Sequence, residues 1–393
     1  MDSLTPKWIL PVIVFAQFAG TSLWFAGNAI LPELKINLLL SQYAVSLVTT
    51  AVMLGFITGT LIFAILGLAD RYSPVRLFFI STILGAFTNL MIIWWADGPN
   101  SLFTLRFCTG IFLAGIYPVG MKIAADWFDK SLGKAMGFLL GALVLGTAFP
   151  HLLKNRDYAL PWELVLVCTS LFAVSGGIAL IWFVGDGPHR HKSTKFDWRN
   201  ILVIFTTDRL RWASGGYFGH MWELYTFWGF LPFILQSYAD KHHVAMNVPL
   251  WSFIIIGAGS LGCIIGGHLS IIWGNAKVAV VALFISGCCG LLSPWSFDWP
   301  EQVFLAIILL WGLTVIPDSP QYSTLVAQFA PPALKGTVLT IYNAVGFGIS
   351  TISLIVIDRI LPLTNLGGTS TFIWLSLGAL TGLPPMIRLI RNL

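Results

Sequence analysis

The sequence predicts an all-α polytopic membrane protein with twelve transmembrane helices in two pseudo-symmetric six-helix bundles. The first observation behind this prediction is that 56% of the 393 residues are hydrophobic and only 10% are charged. An ordinary soluble domain is about 25% charged, so a soluble protein is excluded. The second is a mean hydropathy of +0.82, which comes from apolar runs of about 20 residues, the length that crosses a membrane as a helix. The third is an internal repeat.

The apolar runs are separated at proline, glycine and charged residues. They give twelve candidate spans: 8–30, 43–66, 76–96, 101–124, 134–153, 161–184, 210–237, 249–273, 277–295, 301–326, 336–361 and 369–390. The first run follows Lys7 as a signal peptide would, but it is too long for one, so we interpret it as a span. The longest polar stretch divides six spans from six. We predict an N-terminal bundle over 1–184, a cytoplasmic linker over 185–209 and a C-terminal bundle over 210–393.

The basic residues are spread over the loops rather than gathered in one patch, which excludes a nucleic-acid partner. With the N-terminus inside, sixteen of the 22 Lys and Arg fall on the inner side and five on the outer side, while Arg106 lies within a span. This asymmetry predicts that both termini are cytoplasmic. We expect a multi-pass protein of the plasma (inner) membrane, in contact with lipid and monomeric. The five cysteines lie in apolar runs and are interpreted as packing residues.

The repeat relates the two halves at an offset of about 200 residues. Lys134 opens the fifth span, and Lys335 opens the eleventh, 201 residues later. The stretch 67–70 after the second span has a faint counterpart at 267–270 after the eighth. The second half is therefore predicted to repeat the backbone plan of the first in parallel.

The loop after the second span, Gly67 to Arg76, reads GLADRYSPVR. It resembles the signature loop between the second and third spans of the major facilitator superfamily. The resemblance implies a gate on the inner side, with an acid and arginines that contact neighbouring helices. The gating candidates are Gly67, Asp70, Arg71, Arg76 and Asp126, with Asp126 the predicted partner of Arg71. The alternative is that these are only topogenic charges on a short inner loop.

The fourth span also resembles that superfamily, in which an intramembrane arginine is common in this helix. Small residues at Gly110 and Ala114 make a smooth helix face for close packing, and Tyr117 follows them. Arg106 is expected to serve in the interior, because intramembrane charge usually faces a cavity. The alternative is that Arg106 extends to the outer surface.

The seventh span holds the strongest site signal. His220 and Glu223 are three residues apart, so they share one helix face near the middle of the span. A carboxyl group at that depth predicts a functional site, and a buried carboxyl–imidazole pair can exchange a proton near neutral pH. The alternatives are a structural hydrogen-bonded pair and, less well supported, a metal site, for which the ligand set is incomplete.

The tenth span carries two prolines, Pro317 and Pro320, which interrupt helical hydrogen bonding. Asp318 and Gln321 are predicted to line the resulting opening; alternatively, a cytoplasmic loop starts here. The segment 330–337 and the following Tyr-Asn-x2-Gly resemble nitrate/nitrite-type porters. Those porters hold their anion with arginines in spans two and eight, and 43–66 and 249–273 contain no arginine.

The resemblance implies a secondary active transporter that works by alternating access between the bundles. The intramembrane Arg106 with several Trp and Tyr fits a small anionic solute, and Glu223 with His220 favours coupling to protons. An uncoupled or sodium-coupled porter and a transporter-like sensor remain alternatives. An enzyme is not expected, since no catalytic cluster or nucleotide-binding loop is evident, and neither a cofactor nor a metal is expected. The candidate coupling residues are Glu223, His220 and Asp318. The candidate substrate-binding residues are Arg106, Tyr117, Tyr217, Trp222, Tyr225, Gln321, Asn343, Trp24 and Asn28.

Overall fold

A computed structural model describes residues 6–41, 43–128, 132–155, 160–190, 205, 207–331, 334–363 and 369–393. All regular secondary structure in these ranges is helical, which confirms the predicted all-α class. The chain forms two compact units, Met1–Phe196 and Asp197–Leu393. Of the predicted linker 185–209, residues 191–204 and 206 lie outside the described residues.

The first unit contains ten helical segments. They are α1 (Ile9–Thr21), α2 (Ala26–Ala29), α3 (Leu31–Asn37), α4 (Ala44–Leu66), α5 (Leu68–Arg71), α6 (Pro74–Trp95), α7 (Pro99–Leu113), α8 (Tyr117–Trp127), α9 (Leu132–Leu153) and α10 (Trp162–Phe183). The second unit contains α11 (Asp208–His242), α12 (Val248–Trp273), α13 (Asn275–Ser296), α14 (Glu301–Thr314), α15 (Ser319–Phe329), α16 (Lys335–Ile360) and α17 (Leu377–Arg391). Two 3₁₀ segments, Leu361–Leu363 and Thr369–Ser376, lie between the last two helices.

Ten helical stretches in the described residues are long and apolar enough to cross a membrane. The apolar helix α1 and the 35-residue helix α11 complete the twelve predicted spans. At about 1.5 Å per residue, α11 is longer than a bilayer core is thick, and its charged ends and polar middle lower its hydropathy. The boundaries agree with the prediction to within a few residues, with two exceptions. Helix continues beyond residue 30 through α3 to Asn37, and α11 runs beyond residue 237 to His242.

Three predicted spans are interrupted rather than continuous. The first is broken between Thr21 and Ala26, the fourth between Leu113 and Tyr117, and the tenth between Thr314 and Ser319. The break in the tenth span contains Pro317, as the prolines there predict. The end of α14 follows the end of α7 by 201 residues, the same offset as the lysine repeat in the sequence.

The packing inside each unit follows one plan. In the first unit α4 packs on α7, α6 on α10, and α1 on both α9 and α10. In the second unit the corresponding pairs are α12 with α14, α13 with α17, and α11 with both α16 and α17. The backbone repeat predicted from the sequence is therefore confirmed at the level of helix packing. The corresponding helices α1 and α11 both carry buried polar side chains.

Candidate functional site

The helix α11 carries the two polar residues that the sequence singles out at membrane depth. His220 and Glu223 are each only 1% exposed. They share the helix face predicted from their spacing. Their partners nevertheless differ, so the two side chains belong to separate contacts rather than to one His–Glu pair.

Glu223 joins three helices through neutral hydrogen-bond donors. The Trp311 indole on α14 donates from Nε1 to Oε1 at 2.5 Å, and the Ser286 hydroxyl on α13 donates to Oε2 at 3.0 Å. No Lys or Arg forms an ion pair with Glu223 in the described part of the chain. A buried carboxylate without a cation is costly in an apolar bundle, so the hydrogen bonds from Trp311 and Ser286 are what stabilise the carboxyl group at this position.

His220 instead contacts Asp318, with 2.9 Å between His220 Nδ1 and Asp318 Oδ1. Asp318 lies at the break before α15 and is fully buried. The alternative that a surface loop begins at Asp318 is therefore wrong. Gln321, predicted to line the same opening, donates from Nε2 to the Pro317 carbonyl at 3.4 Å. The break in the tenth span thus places the carboxyl group of Asp318 against the imidazole of His220. The Gln321 amide satisfies one backbone carbonyl that the break leaves without a helical partner.

Two tyrosines lie against the imidazole of His220, and a third tyrosine stacks on one of them. Tyr217 stacks on Tyr342 with 3.8 Å between ring centroids, and its hydroxyl donates to Asn343 Oδ1 at 3.1 Å. The ring of His220 lies 5.9 Å from that of Tyr217 and 6.1 Å from that of Tyr322. Sequence reasoning selected Tyr217 and Asn343 but missed Tyr322 and Tyr342. Tyr322 directly follows the candidate Gln321, and Tyr342 directly precedes the candidate Asn343.

Two other candidates on α11 lie apart from this cluster. The Trp222 indole donates to the Trp374 carbonyl at 2.9 Å, on a partly exposed side of the bundle. Tyr225 packs against Trp228 and Phe347, with ring centroids 5.5 and 5.1 Å away. The contacts of Trp222 with Trp374 and of Tyr225 with Phe347 join α11 to neighbouring segments.

Arg106 on α7 is fully buried and holds the break in the first span. Its Nη1 donates to the Leu23 carbonyl at 3.1 Å and to Asn89 Oδ1 at 3.4 Å, and Nη2 donates to the Trp24 carbonyl. The alternative that Arg106 extends to the outer surface is wrong. No acid pairs with it among the ion pairs of the described residues, so carbonyl and amide dipoles alone offset its charge.

The remaining candidates of the first unit lie near α4. Trp24 packs on Phe56 with 4.8 Å between centroids, and Tyr117 lies 6.4 Å from the same ring. The Asn28 amide donates to Thr49 Oγ1 at 2.7 Å. The structure therefore groups Trp24, Asn28 and Tyr117 around α4, beside the segment that Arg106 holds.

The loop after α4 begins with Gly67 in the left-handed region, at a φ of +59°, where glycine has no Cβ to clash. Asp70 forms an ion pair with Lys122 on α8 at 2.9 Å. Arg71 is exposed, so the predicted pairing of Arg71 with Asp126 is wrong. Neighbouring residues of a helical turn point in different directions, and when Asp70 faces α8, Arg71 faces away.

Asp126 lies against the chain that leaves α10. Its carbonyl accepts a hydrogen bond from the His189 backbone N–H at 2.9 Å. Nearby, Ser73 Oγ donates to Asp186 Oδ1 at 2.6 Å, and Arg190 donates to the Tyr72 carbonyl at 2.6 Å. The first residues of the predicted linker are thus hydrogen-bonded to the signature loop within the first unit. The side chain of Arg76 is exposed, and its backbone N–H is capped by Ser73 at 3.3 Å.

A family model described as the Major Facilitator Superfamily matches residues 13–354, most of the chain. The chain belongs to the Major Facilitator Superfamily. The predicted resemblance is confirmed at this level, while the nitrate/nitrite-type subfamily is not. Family membership and the superfamily fold point to a transporter of many spans rather than to an enzyme.

Two relatives of known name match parts of the chain. The Fujikurins efflux protein of Gibberella fujikuroi is 23% identical over 249 residues, which are 62% of this chain and 52% of the relative. The D-galactonate transporter of Escherichia coli is 33% identical over 116 residues, 29% of this chain and 25% of the relative. The chain spans about half the length of the first relative and a quarter of the second.

Two solved structures share the superfamily fold over nearly the whole chain. The human organic anion transporter MFSD10 (TETRAN) has a TM-score of 0.74 and 17% identity, and the match covers 98% of this chain and 100% of that one. The nucleoside transporter NupG has a TM-score of 0.71 and 12% identity, with 98% and 99% covered. At such identities the likeness shows the fold alone, and it confirms the predicted twelve-helix class.

The ion pair in the superfamily's signature loop can be tested directly. Asp70→Asn and Lys122→Met should each destabilise the protein slightly, and the double variant should lose less than the sum of the two. Because both side chains are partly exposed, we expect a coupling energy of about 0.2 to 1 kcal/mol. Thermal unfolding at low and high salt measures it. Strict additivity of the two losses would contradict the pairing.

Proposed function

We propose that this chain is a proton-coupled secondary transporter that moves a small anionic solute by alternating access. The observation that carries the proposal is the set of titratable groups buried in the second unit, where Glu223, Asp318 and His220 lie at membrane depth. Their partners are an indole, a hydroxyl and each other. Groups with such neutral or mutual partners can gain and lose a proton during a transport cycle without leaving an unpaired Lys or Arg behind.

The anionic solute is supported by the charge of Arg106 and by one relative. Arg106 is a buried cation without an acidic partner among the ion pairs of the described residues, so it contributes positive potential to the first unit. The E. coli relative is named for D-galactonate, an anion. An organic anion fits better than nitrate, because α4 and α12 carry no arginine.

The gating role of the signature loop belongs to the same proposal. Asp70, Lys122 and the residues 185–190 join the inner ends of three spans of the first unit. These contacts keep the ends of the three helices together while the first unit moves as a rigid body. The cytoplasmic linker over 185–209, the cytoplasmic termini and the monomeric state are further predictions of this proposal.

The central test uses Asp318→Asn in proteoliposomes, after a thermal-shift screen of purified protein against small organic acids has identified a solute. Asparagine keeps the size of the side chain but cannot ionise. We expect accumulation driven by an imposed pH gradient to fall to the equilibrium level, while exchange of labelled for unlabelled solute continues.

The matched control is Asp298→Asn, which removes an exposed carboxylate of the same unit that pairs with Lys241 at 2.6 Å. This variant should accumulate the solute like the parent. Full accumulation by Asp318→Asn would exclude Asp318 from proton coupling. Accumulation that follows a sodium gradient instead, or binding without any transport, would favour the sodium-coupled porter or the sensor.

A further inference from the structure

Besides both carboxyl oxygens of Asp318 and Tyr342 Oη, two buried polar atoms around the His220–Asp318 contact have no hydrogen-bonding partner among the described residues. They are His220 Nε2 and Tyr322 Oη. Both side chains are buried, at 1% and 0% exposure, and their rings lie 6.1 Å apart. An unpaired buried polar atom costs about 1 to 3 kcal/mol, and each one in a folded protein calls for an explanation such as an absent ligand.

The contact with Asp318 determines what His220 Nε2 can do. Nδ1 lies 2.9 Å from Oδ1 of Asp318, and at that distance an ionised carboxylate favours the tautomer of neutral His220 that carries its proton on Nδ1. Nε2 is then an acceptor when His220 is neutral and a donor when His220 is protonated. The second unpaired atom, Tyr322 Oη, can donate in either state.

We propose that His220 Nε2 and Tyr322 Oη form a carboxylate-binding subsite that is complete only when His220 is protonated. The inference rests on the proposed function and deepens it, since it assigns the coupled proton to one nitrogen. With neutral His220, the pair formed with ionised Asp318 carries one negative charge and repels an anion. With protonated His220 the pair is neutral and presents two N–H or O–H donors, so one carboxylate and one proton bind together.

The groups that face the pair are few in the described part of the chain. Tyr217 on the same helix and Tyr342 on α16 pack against His220 or against each other. Cys263 on α12 and Glu223 on α11 are electrostatic neighbours of Asp318. Glu223 is the one further acid of this set, and both of its oxygens already accept hydrogen bonds. A proton taken up with the ligand is therefore assigned to His220.

Gly216 on α11 allows Tyr322 to reach this position. A Cβ built on Gly216 would lie 2.6 Å from Tyr322 Cε1, the ring atom next to the carbon that bears the hydroxyl, and 2.5 Å from Met386 Cγ. Only glycine lets the ring approach so closely. Gly216→Ala should thus displace the Tyr322 hydroxyl without touching the contact between His220 and Asp318.

The test follows His220 by NMR in the full chain, reconstituted with ¹⁵N-labelled histidine, and His220→Gln identifies its signals. Formate is the probe, since it carries a carboxylate and little else, and chloride at equal ionic strength is the reference. We expect neutral His220 to carry its proton on Nδ1, and formate to raise the pH at the midpoint of its titration. By linkage, a tenfold preference of formate for the protonated state raises that midpoint by about one pH unit.

Variants show which residues the formate-induced rise in the His220 midpoint depends on. Tyr322→Phe and Gly216→Ala should shrink the formate-induced rise, while Gly348→Ala, whose added Cβ meets open space, should preserve it. A midpoint that formate leaves unchanged or lowers, a neutral proton on Nε2, or a full rise in Tyr322→Phe would overturn the subsite. If the rise is present but no solute accumulates in proteoliposomes, the proposed transport function fails while the subsite stands.

Discussion

Arg106→Met should lower the stability of the protein more than any other single change to a polar residue of the first unit. The substitution removes the donors that satisfy the Leu23 and Trp24 carbonyls at the break in the first span, and the donor to Asn89. Each carbonyl left unpaired in an apolar interior costs about 1 to 3 kcal/mol. For two carbonyls we therefore expect a loss of about 2 to 6 kcal/mol in the free energy of unfolding, measured as a lower midpoint of thermal unfolding in detergent.

Two further variants sharpen this test. Arg388→Met removes an exposed arginine near the end of α17 and should leave the unfolding midpoint almost unchanged. Arg106→Lys keeps the charge, but one ammonium group cannot reproduce the planar fork that reaches both carbonyls, so an intermediate loss is expected. If Arg106→Met unfolds like the parent but no longer binds solute, the arginine serves the solute and not the break.

The sequence identified four of the buried charged or titratable residues of the two units, because charge is rare in apolar spans, but it missed His151 and Asp358. Position deep within an apolar span is enough to single out Arg106, His220, Glu223 and Asp318. All four side chains are buried in the structure. The sequence could not identify their partners, for a physical reason. Trp311, Ser286 and Tyr322 are residue types that occur throughout membrane helices, so nothing in the sequence separates a partner from a packing residue.

The interruptions of the helices were predictable only where proline causes them. Pro317 predicts the break before α15. The break between Thr21 and Ala26 contains no proline, and the carbonyls freed there are satisfied by Arg106, 82 residues away from Trp24. A distant donor of this kind leaves no local signal. The error in pairing Arg71 with Asp126 has a similar origin, because sequence spacing does not show which of two adjacent charged residues faces the neighbouring helix.

Glu223→Gln should abolish accumulation driven by a pH gradient while leaving the fold intact. Glutamine can reproduce the hydrogen bonds: its Oε1 accepts from Trp311, and its amide donates to Ser286 Oγ, whose proton can turn to the Leu283 carbonyl, 3.2 Å away. The variant cannot ionise, however, so any coupling step that needs an ionised Glu223 is lost. Uptake into proteoliposomes under an imposed pH gradient, compared with exchange at equal pH, measures the difference.

Glu223→Leu separates the structural part of the role from the ionisable part. Leucine leaves Trp311 Nε1 unpaired in the interior, which should cost about 1 to 3 kcal/mol of stability, whereas the glutamine variant should unfold like the parent. Glu301→Gln, at the first turn of α14, is the matched control and should accumulate solute normally. If Glu223→Gln still accumulates solute against its gradient, Glu223 does not take part in proton coupling. Its role is then to hold three helices together by hydrogen bonds, and the proton travels through Asp318 and His220 alone.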